Sequence, residues 1–346
     1  MAHLSTSRLF GGLILALLVL HACAPASIMT VNGPVAAKNM GTTLIHEHVF
    51  LDWTGADSIQ PQQWDQEAAM RQILPFLRDM QTKNVKTMLE CTPNYIGRNP
   101  ILLKRLADST GIQILTNTGY YGAVRDKYVP AHAYLETADQ LADRWVQEYQ
   151  KGIEQTNIRP GFIKIAVDGD AVLSAIDEKI VRAAARTHLR TGLTIVSHTG
   201  PDLPALQQVA VLESEGVSLK AWVWTHAQGG TDSMRVTLAR KGAWISLDGL
   251  GWVAPVQHKG DSTPLYNYIH AIEHLKSAGL LHRVLISHDA GWYTHKEPYA
   301  RYEGYTYIFK GVLPLLRQRG MTEQEIEQLL VKNPRQAYTI RVRKKR

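Results

Sequence analysis

The amino-acid sequence predicts an α/β protein built as a (β/α)8 TIM barrel, a single domain behind an N-terminal export signal. Three observations carry this. Eight short apolar runs of strand type recur along the chain, segments with helical spacing lie between them, and the 346 residues suffice for one large domain. An open, doubly wound sheet is the competing arrangement. No Gly-x-Gly-x-x-Gly or Walker loop follows the first strand, which argues against it.

The elements follow in chain order. Arg8 precedes an apolar run, Leu9 to Leu20, that is too short to span a membrane as a helix. Leu20-His-Ala-Cys23 comes next and reads as a lipobox, so residues 1–23 are expected to be a signal peptide with Cys23 as the lipidated residue. Cleavage at Ala24-Pro-Ala26 is the competing processing site. Residues 24–38 read as a polar linker, 39–340 as the barrel, and 341–346 as a basic, solvated tail. Strands are expected over Thr42–Val49, Val85–Glu90, Ile112–Asn117, Phe162–Val167, Leu193–His198, Lys220–His226, Ala243–Asp248 and Arg283–His288. Most are continuously apolar, as strands covered on both faces must be. Helical spacing marks Gln62–Lys83, Ala133–Gln155, Ala175–Thr191 and Pro204–Glu215. Thr322 and Glu325 form the capping-box pattern of a closing helix.

Composition narrows the function classes. The chain is 45% hydrophobic and 20% charged, with a net charge of +7. Its basic residues are scattered apart from the tail, with no basic stripe interleaved with aromatics, so a nucleic-acid partner is not expected. Cys23 and Cys91 are the two cysteines, and no intramolecular disulfide is expected if Cys23 is acylated or removed. The expected location is the periplasm or, through the lipid anchor alone, the bacterial outer membrane.

In a barrel of this class, chemistry sits at the C-terminal ends of the strands. Residues of metal-ligand type recur there: His46 and His48 on one face of the first strand, His198 after the fifth, His226 after the sixth, Asp289 after the eighth. Any one alone is more often structural than catalytic. Together, at matching strand ends, they point to a metal centre. Lys164, between Ile163 and Ile165, points into the barrel. An uncharged lysine amine reacts with carbon dioxide to give a carbamate whose two oxygens can bridge two ions. A buried ion pair with Asp289 or Glu90 is the alternative for Lys164. Tyr95, Tyr120, Tyr121, Trp252, Trp292 and Tyr293 lie in the following loops and are candidates to line a substrate pocket. Asp248 and His288 are neighbours without an assignable ligand role, His288 alternating away from Asp289.

The ordered set of His46-x-His48, Glu90-Cys-Thr-Pro93 with Gly97-Arg98, Lys164, His198, His226 and Asp289 resembles the phosphotriesterase-like family of the amidohydrolase superfamily. The resemblance runs from Thr30-Val-Asn-Gly-Pro34 to Asn333-Pro334-Arg335. It implies one ion on His46, His48, Lys164 and Asp289, and a second on Lys164, His198 and His226, with Lys164 carboxylated by CO2. Zinc suits imidazole and oxygen ligands, and manganese or cobalt can substitute. The implied reaction is attack by a bridging hydroxide on an ester-like bond, with Asp289 accepting the proton, and a small-molecule lactone or carboxyl ester is favoured. The alternatives are an organophosphate triesterase, a mononuclear deaminase, and a non-catalytic metal-dependent surface binder. Organophosphate-degrading members relay the proton through an Asp shortly after the sixth-strand His and a His ending strand seven. Here Ala227-Gln-Gly-Gly230 and Gly249 stand instead. A homodimer is among the partners the reading allows.

Overall fold

The computed structural model describes residues 26–170, 172–294 and 304–345. The expected signal peptide and Cys23 lie outside the described residues. The strands are β1 (Ser27–Thr30), β2 (Gly33–Ala36), β3 (Thr42–Glu47), β4 (Val85–Glu90), β5 (Gln113–Leu115), β6 (Asn117–Thr118), β7 (Phe162–Ala166), β8 (Ile195–His198), β9 (Trp222–Thr225), β10 (Trp244–Leu247) and β11 (Val284–Ile286). From β3 onward every ladder is parallel, in the orders β3-β4-β5 and β6-β7-β8-β9-β10-β11. Only Thr116 separates β5 from β6, and its carbonyl accepts from Gly161 N at 2.7 Å, so the two act as one strand position.

Between β11 and β3 there is no ladder; polar groups close the seam. Asp289 N donates to His46 O at 3.0 Å, and Ser287 Oγ accepts from His46 N at 3.0 Å. The buried Glu47 carboxylate accepts from Ser287 Oγ (2.8 Å), His288 N (3.1 Å) and Ala290 N (3.0 Å), and pairs with His288 Nδ1 (2.8 Å). The last strand thus lies beside the first, the circular order of an eight-stranded parallel barrel.

Alternation along each strand divides its side chains between two cores. Ile45, Leu89, Leu115, Phe162, Val196, Val223 and Leu285 fill the barrel interior, while Leu44, Met88, Ile114, Ile163, Ile165 and Ile195 pack outward against the helices. The same alternation turns Lys164 inward with Phe162. The helices include α1 (Gln66–Thr82), α2 (Pro100–Thr110), α3 (Ala131–Leu135), α4 (Ala138–Lys151), α5 (Ala175–Thr191), α6 (Asp202–Ser214), α7 (Asp232–Arg240) and α8 (Thr263–Ser277). Asp65, Asn99, Ser174 and Thr231 cap α1, α2, α5 and α7 by accepting from first-turn amides. The capping box of Thr322 and Glu325 is present.

Several expectations are corrected. The helix expected across Ala133–Gln155 is two, because Thr137 starts α4 with its own capping box to Gln140. Helices α2, α7 and α8 were not anticipated; α2 and α8 begin on Pro at the first or second position, where the missing N–H costs nothing. The polar linker holds the antiparallel β1–β2 hairpin. Ile28 explains it: this residue is fully buried beneath the barrel, against the interior cluster with Met40 and Tyr338. Nor is the basic tail frayed. Arg341 N donates to Gly192 O at 3.0 Å and Lys345 N to Gly216 O at 2.8 Å. Arg343 is buried, its Nη2 donating to the carbonyls of Gln336 (2.9 Å), Ala337 (3.0 Å) and Thr339 (3.0 Å). An arginine carrying five donors satisfies carbonyls that the last helix leaves open.

Candidate metal centre

At the C-terminal ends of the strands the interior opens into a cavity of about 70 Å3. All six residues of ligand type expected from the sequence line it: His46, His48, Lys164, His198, His226 and Asp289. His48 Nε2 lies 3.0 Å from Asp289 Oδ1, and His46 Nε2 3.5 Å from the same oxygen. Lys164 Nζ is 3.2 Å from His46 Nε2, and His226 Nε2 is 2.8 Å from His198 Nδ1. Lys164 is buried, and its neighbour is an imidazole rather than the carboxylate of Glu90. Two of the ligand-type residues hold left-handed backbone just past their strands, His226 at φ 58° and Asp289 at φ 56°. Such turns cost non-glycine residues energy and persist where hydrogen bonds fix them. Here Asp248 Oδ1 accepts from His226 N at 3.1 Å, and His46 O accepts from Asp289 N.

Asp248, to which the sequence assigned no role, orients two of the histidines. Its Oδ2 is 2.9 Å from His46 Nδ1 and its Oδ1 is 2.8 Å from His226 Nδ1, with Ser246 Oγ donating at 2.7 Å. A carboxylate at both Nδ1 atoms takes the N–H of each ring, so both Nε2 lone pairs face the cavity. His48 is held likewise: its Nδ1 is 2.8 Å from Thr92 Oγ1, which donates onward to Glu90. No spacing rule could have found these partners; the one available signal was an acidic residue ending the seventh apolar run. His288 packs behind the strand on Glu47, as its alternation implied.

The electrostatics differ among the rings: burial alone would lower the His226 imidazole, but Asp248 outweighs it and raises it. Burial and the nearby Lys164 charge push the His46 imidazole down to about 4, and burial and His226 hold His198 well below its usual value. Both rings are neutral donors near pH 7. Burial alone would raise the Asp289 carboxyl, but His46, His48 and His226 outweigh it and hold it well below the usual carboxylate range. Asp248 is likewise raised by burial and lowered further by His226 and His46. The donor set fits a divalent cation. Two Nε2 lone pairs and a carboxylate oxygen converge at 3.0 and 3.5 Å, where hydrogen bonding needs a proton that the Nδ1 partners have already placed elsewhere. Two groupings close enough to hold an ion recur here, His46–His48–Asp289 and His46–His226–Asp248.

Of the aromatic candidates, Tyr121 and Trp292 line the cavity, joined by Leu51, Trp53, Pro93 and Ile96 among the described residues. Trp252 sits beside it, meeting Trp292 edge-on with ring centroids 4.8 Å apart and donating from Nε1 to Asp289 O at 3.1 Å. Tyr95 and Tyr120 instead face a separate surface cavity beside Arg144 and Glu148, and Tyr293 packs on Phe50. Loop position alone does not say which way a ring turns.

The chain matches the phosphotriesterase family over residues 26–338. It is 30% identical over 300 residues to the phosphotriesterase homology protein of Escherichia coli, covering 86% of this chain and 98% of that one. The structure is similar to the organophosphorus hydrolase of Deinococcus radiodurans, with a TM-score of 0.80, 29% identity, and coverage of 91% and 97%. It is similar also to a mutant of a PTE-like lactonase from the same organism, with a TM-score of 0.79, 28% identity, and coverage of 90% and 99%. With that match spanning nearly the whole described chain and the ligand-type residues gathered in one buried cavity, this protein belongs to the phosphotriesterase family and is a metal-dependent hydrolase.

Proposed function

We propose that the protein hydrolyses a small lactone or carboxyl ester with two divalent ions, zinc by preference and manganese or cobalt as substitutes. The first ion would be held by His46, His48, Lys164 and Asp289, the second by Lys164, His198 and His226, with Lys164 carboxylated on Nζ. Carboxylation forms an N–C bond to carbon dioxide and releases one amine proton. When bound, such ions lower the pKa of water and polarise the scissile carbonyl. The chain's own residues do the rest. Asp289, held ionised, accepts the proton of the attacking water. The water oxygen bonds to the carbonyl carbon, the ester C–O bond breaks, and the departing alkoxide takes a proton from Asp289 or solvent. Leu51, Trp53, Ile96 and Trp292 wall the cavity against bulk water. The outer membrane or periplasm, reached through Cys23, is the location we propose.

The observation that favours a carboxyl ester over a phosphotriester is at Gly249. A Cβ built there would lie 2.2 Å from the Tyr268 hydroxyl and 2.8 Å from Gln228 Nε2. The volume a relay histidine needs is already filled, so a leaving group that stays tethered, as in a lactone, suits the site better. The solved relatives carry both names, organophosphorus hydrolase and lactonase, and both chemistries are therefore compared directly. With fully metallated protein and matched leaving groups, kcat/KM for the lactone or aryl ester is expected to exceed that for the aryl phosphotriester by at least about tenfold, or ~1.4 kcal/mol. A phosphotriester turned over faster than every ester and lactone tested would overturn the preference.

A further inference from the structure

The end of the barrel opposite the metal centre carries a concentrated positive charge that the catalytic reading does not use. A groove of about 780 Å3 opens there, lined by Lys220, Lys241, Arg341, Lys344 and Lys345, with Glu213 as the carboxylate among its lining residues. Glu213 is shared by Lys241 at 3.3 Å and Lys345 at 3.1 Å. Among the described residues, Lys220, Arg341 and Lys344 have no carboxylate within ion-pair distance. Several arginines elsewhere on the surface sit on acids, as at Arg144–Glu136, Arg182–Glu215 and Arg319–Glu273. The cations are held in place by backbone. Lys345 N binds Gly216 O, Lys344 bridges to Val217, and Lys220 O accepts from Trp244 Nε1, over whose ring Arg283 lies at 5.0 Å. Val342, 44% exposed, adds an apolar contact among them.

The chain's N-terminal approach lies close by. Ala26 O accepts from Ala37 N at 2.8 Å, and Ser27 O accepts from Ile340 N at 2.9 Å, one residue before Arg341. Cys23 is three residues upstream of Ala26, about 10 Å of extended chain at most.

We propose that this face is a docking surface for anionic phospholipid headgroups. It would seat the barrel on a bilayer with its metal centre turned outward. Each lysine or arginine near an anionic membrane adds to a shared electrostatic attraction, which falls away within a Debye length and weakens with salt. Ala26 and Ser27, the first described residues, lie on this side, so an anchor on the chain preceding them and the basic patch would share one surface. A single acyl chain holds a protein only marginally, and a basic patch is the kind of second contact that makes attachment stable.

The test is co-sedimentation of the full-length chain with equimolar phosphatidylcholine–phosphatidylglycerol vesicles and with pure phosphatidylcholine vesicles. Comparison of variants within one chain length keeps any contribution of the N-terminal segment constant. Wild type should partition at least about tenfold better onto the anionic vesicles at low salt, and the preference should vanish near roughly 0.5 M NaCl. Lys220→Glu with Lys344→Glu should abolish the preference while leaving the far-ultraviolet spectrum and ester turnover unchanged. Lys259→Glu, an exposed lysine in the loop after β10 on the catalytic side, should keep it. Equal partitioning of wild type onto both vesicles, or an undiminished preference in the folded double variant, would overturn the proposal. So would salt-sensitive binding to duplex DNA with no vesicle preference, which would assign the groove to nucleic acid. None of these results bears on hydrolysis, so this inference and the proposed reaction fail separately.

Discussion

Replacing Asp248 by asparagine tests the logic of the site most directly. The carboxylate is fully buried and makes four contacts: the Nδ1 atoms of His46 and His226, the His226 amide, and the Ser246 hydroxyl. Asparagine keeps its shape but offers one oxygen and one NH2. Whichever way the amide turns, one imidazole meets a donor where it met an acceptor, and that ring must flip its proton to Nε2. The lone pair aimed into the cavity is then lost. Removing such an orienting carboxylate typically costs 10–100-fold in metal affinity, or about 1.4–2.8 kcal/mol. Because one side chain serves two histidines here, the upper end of that range is expected. The assay is chelator competition on the reconstituted protein, which gives metal dissociation constants, alongside kcat/KM for an ester and a thermal melt to confirm folding. Ser246→Ala, which removes only a hydrogen bond to Asp248, should weaken metal binding by no more than about tenfold. A folded Asp248→Asn protein with metal affinity within about threefold of wild type would show that the carboxylate does not set the tautomers and would refute the reasoning.

Three further outcomes are expected. Lys164→Ala should lose most bound metal and activity, and short carboxylic acids should restore part of both; full occupancy without added acid would exclude a bridging role. Burial pushes the Asp177 carboxyl up to about 7. Its native pKa is above its unfolded value, so stability falls as pH rises from about 4 to 7, and Asp177→Asn should be the more stable protein at pH 8 by on the order of a few kcal/mol. Denaturant titrations of both proteins at pH 5 and pH 8 check this, and a pH-independent gap would contradict it. Arg343→Ala leaves three carbonyls without their donor and should destabilise by about 2–4 kcal/mol in urea, with metal affinity unchanged.

The barrel was legible because its strands are covered on both faces and therefore read as unbroken apolar runs between helical patterns. The ligand-type residues were legible because ligand chemistry admits few residue types and the fold confines them to strand ends. What supports those ligands was not. Asp248 and Thr92 are ordinary polar residues whose roles come from contacts 22 to 202 positions away in the chain. The hairpin and the C-terminal segment were misread for a related reason. Polar and basic residues suggest solvent, but backbone pairing and buried side chains, Ile28 and Val31 in the hairpin and Arg343 in the tail, tie them to the barrel floor. The aromatic loops failed on direction, since a loop leaves the side-chain vector unfixed.

The polar seam between β3 and β11 also sets an order of events in folding. Glu47 must wait for partners some 240 residues later in the chain, and the seam has no ladder to form gradually. Closing so long a loop comes late in folding, because its entropy must be met before any contact rewards it. His46 and His48 lie on one side of that join and Asp289 on the other. A chain that has not yet reached β11 therefore presents two histidines without the carboxylate that completes their set. The His46–His48–Asp289 grouping is in this way completed only when the two ends of the barrel meet.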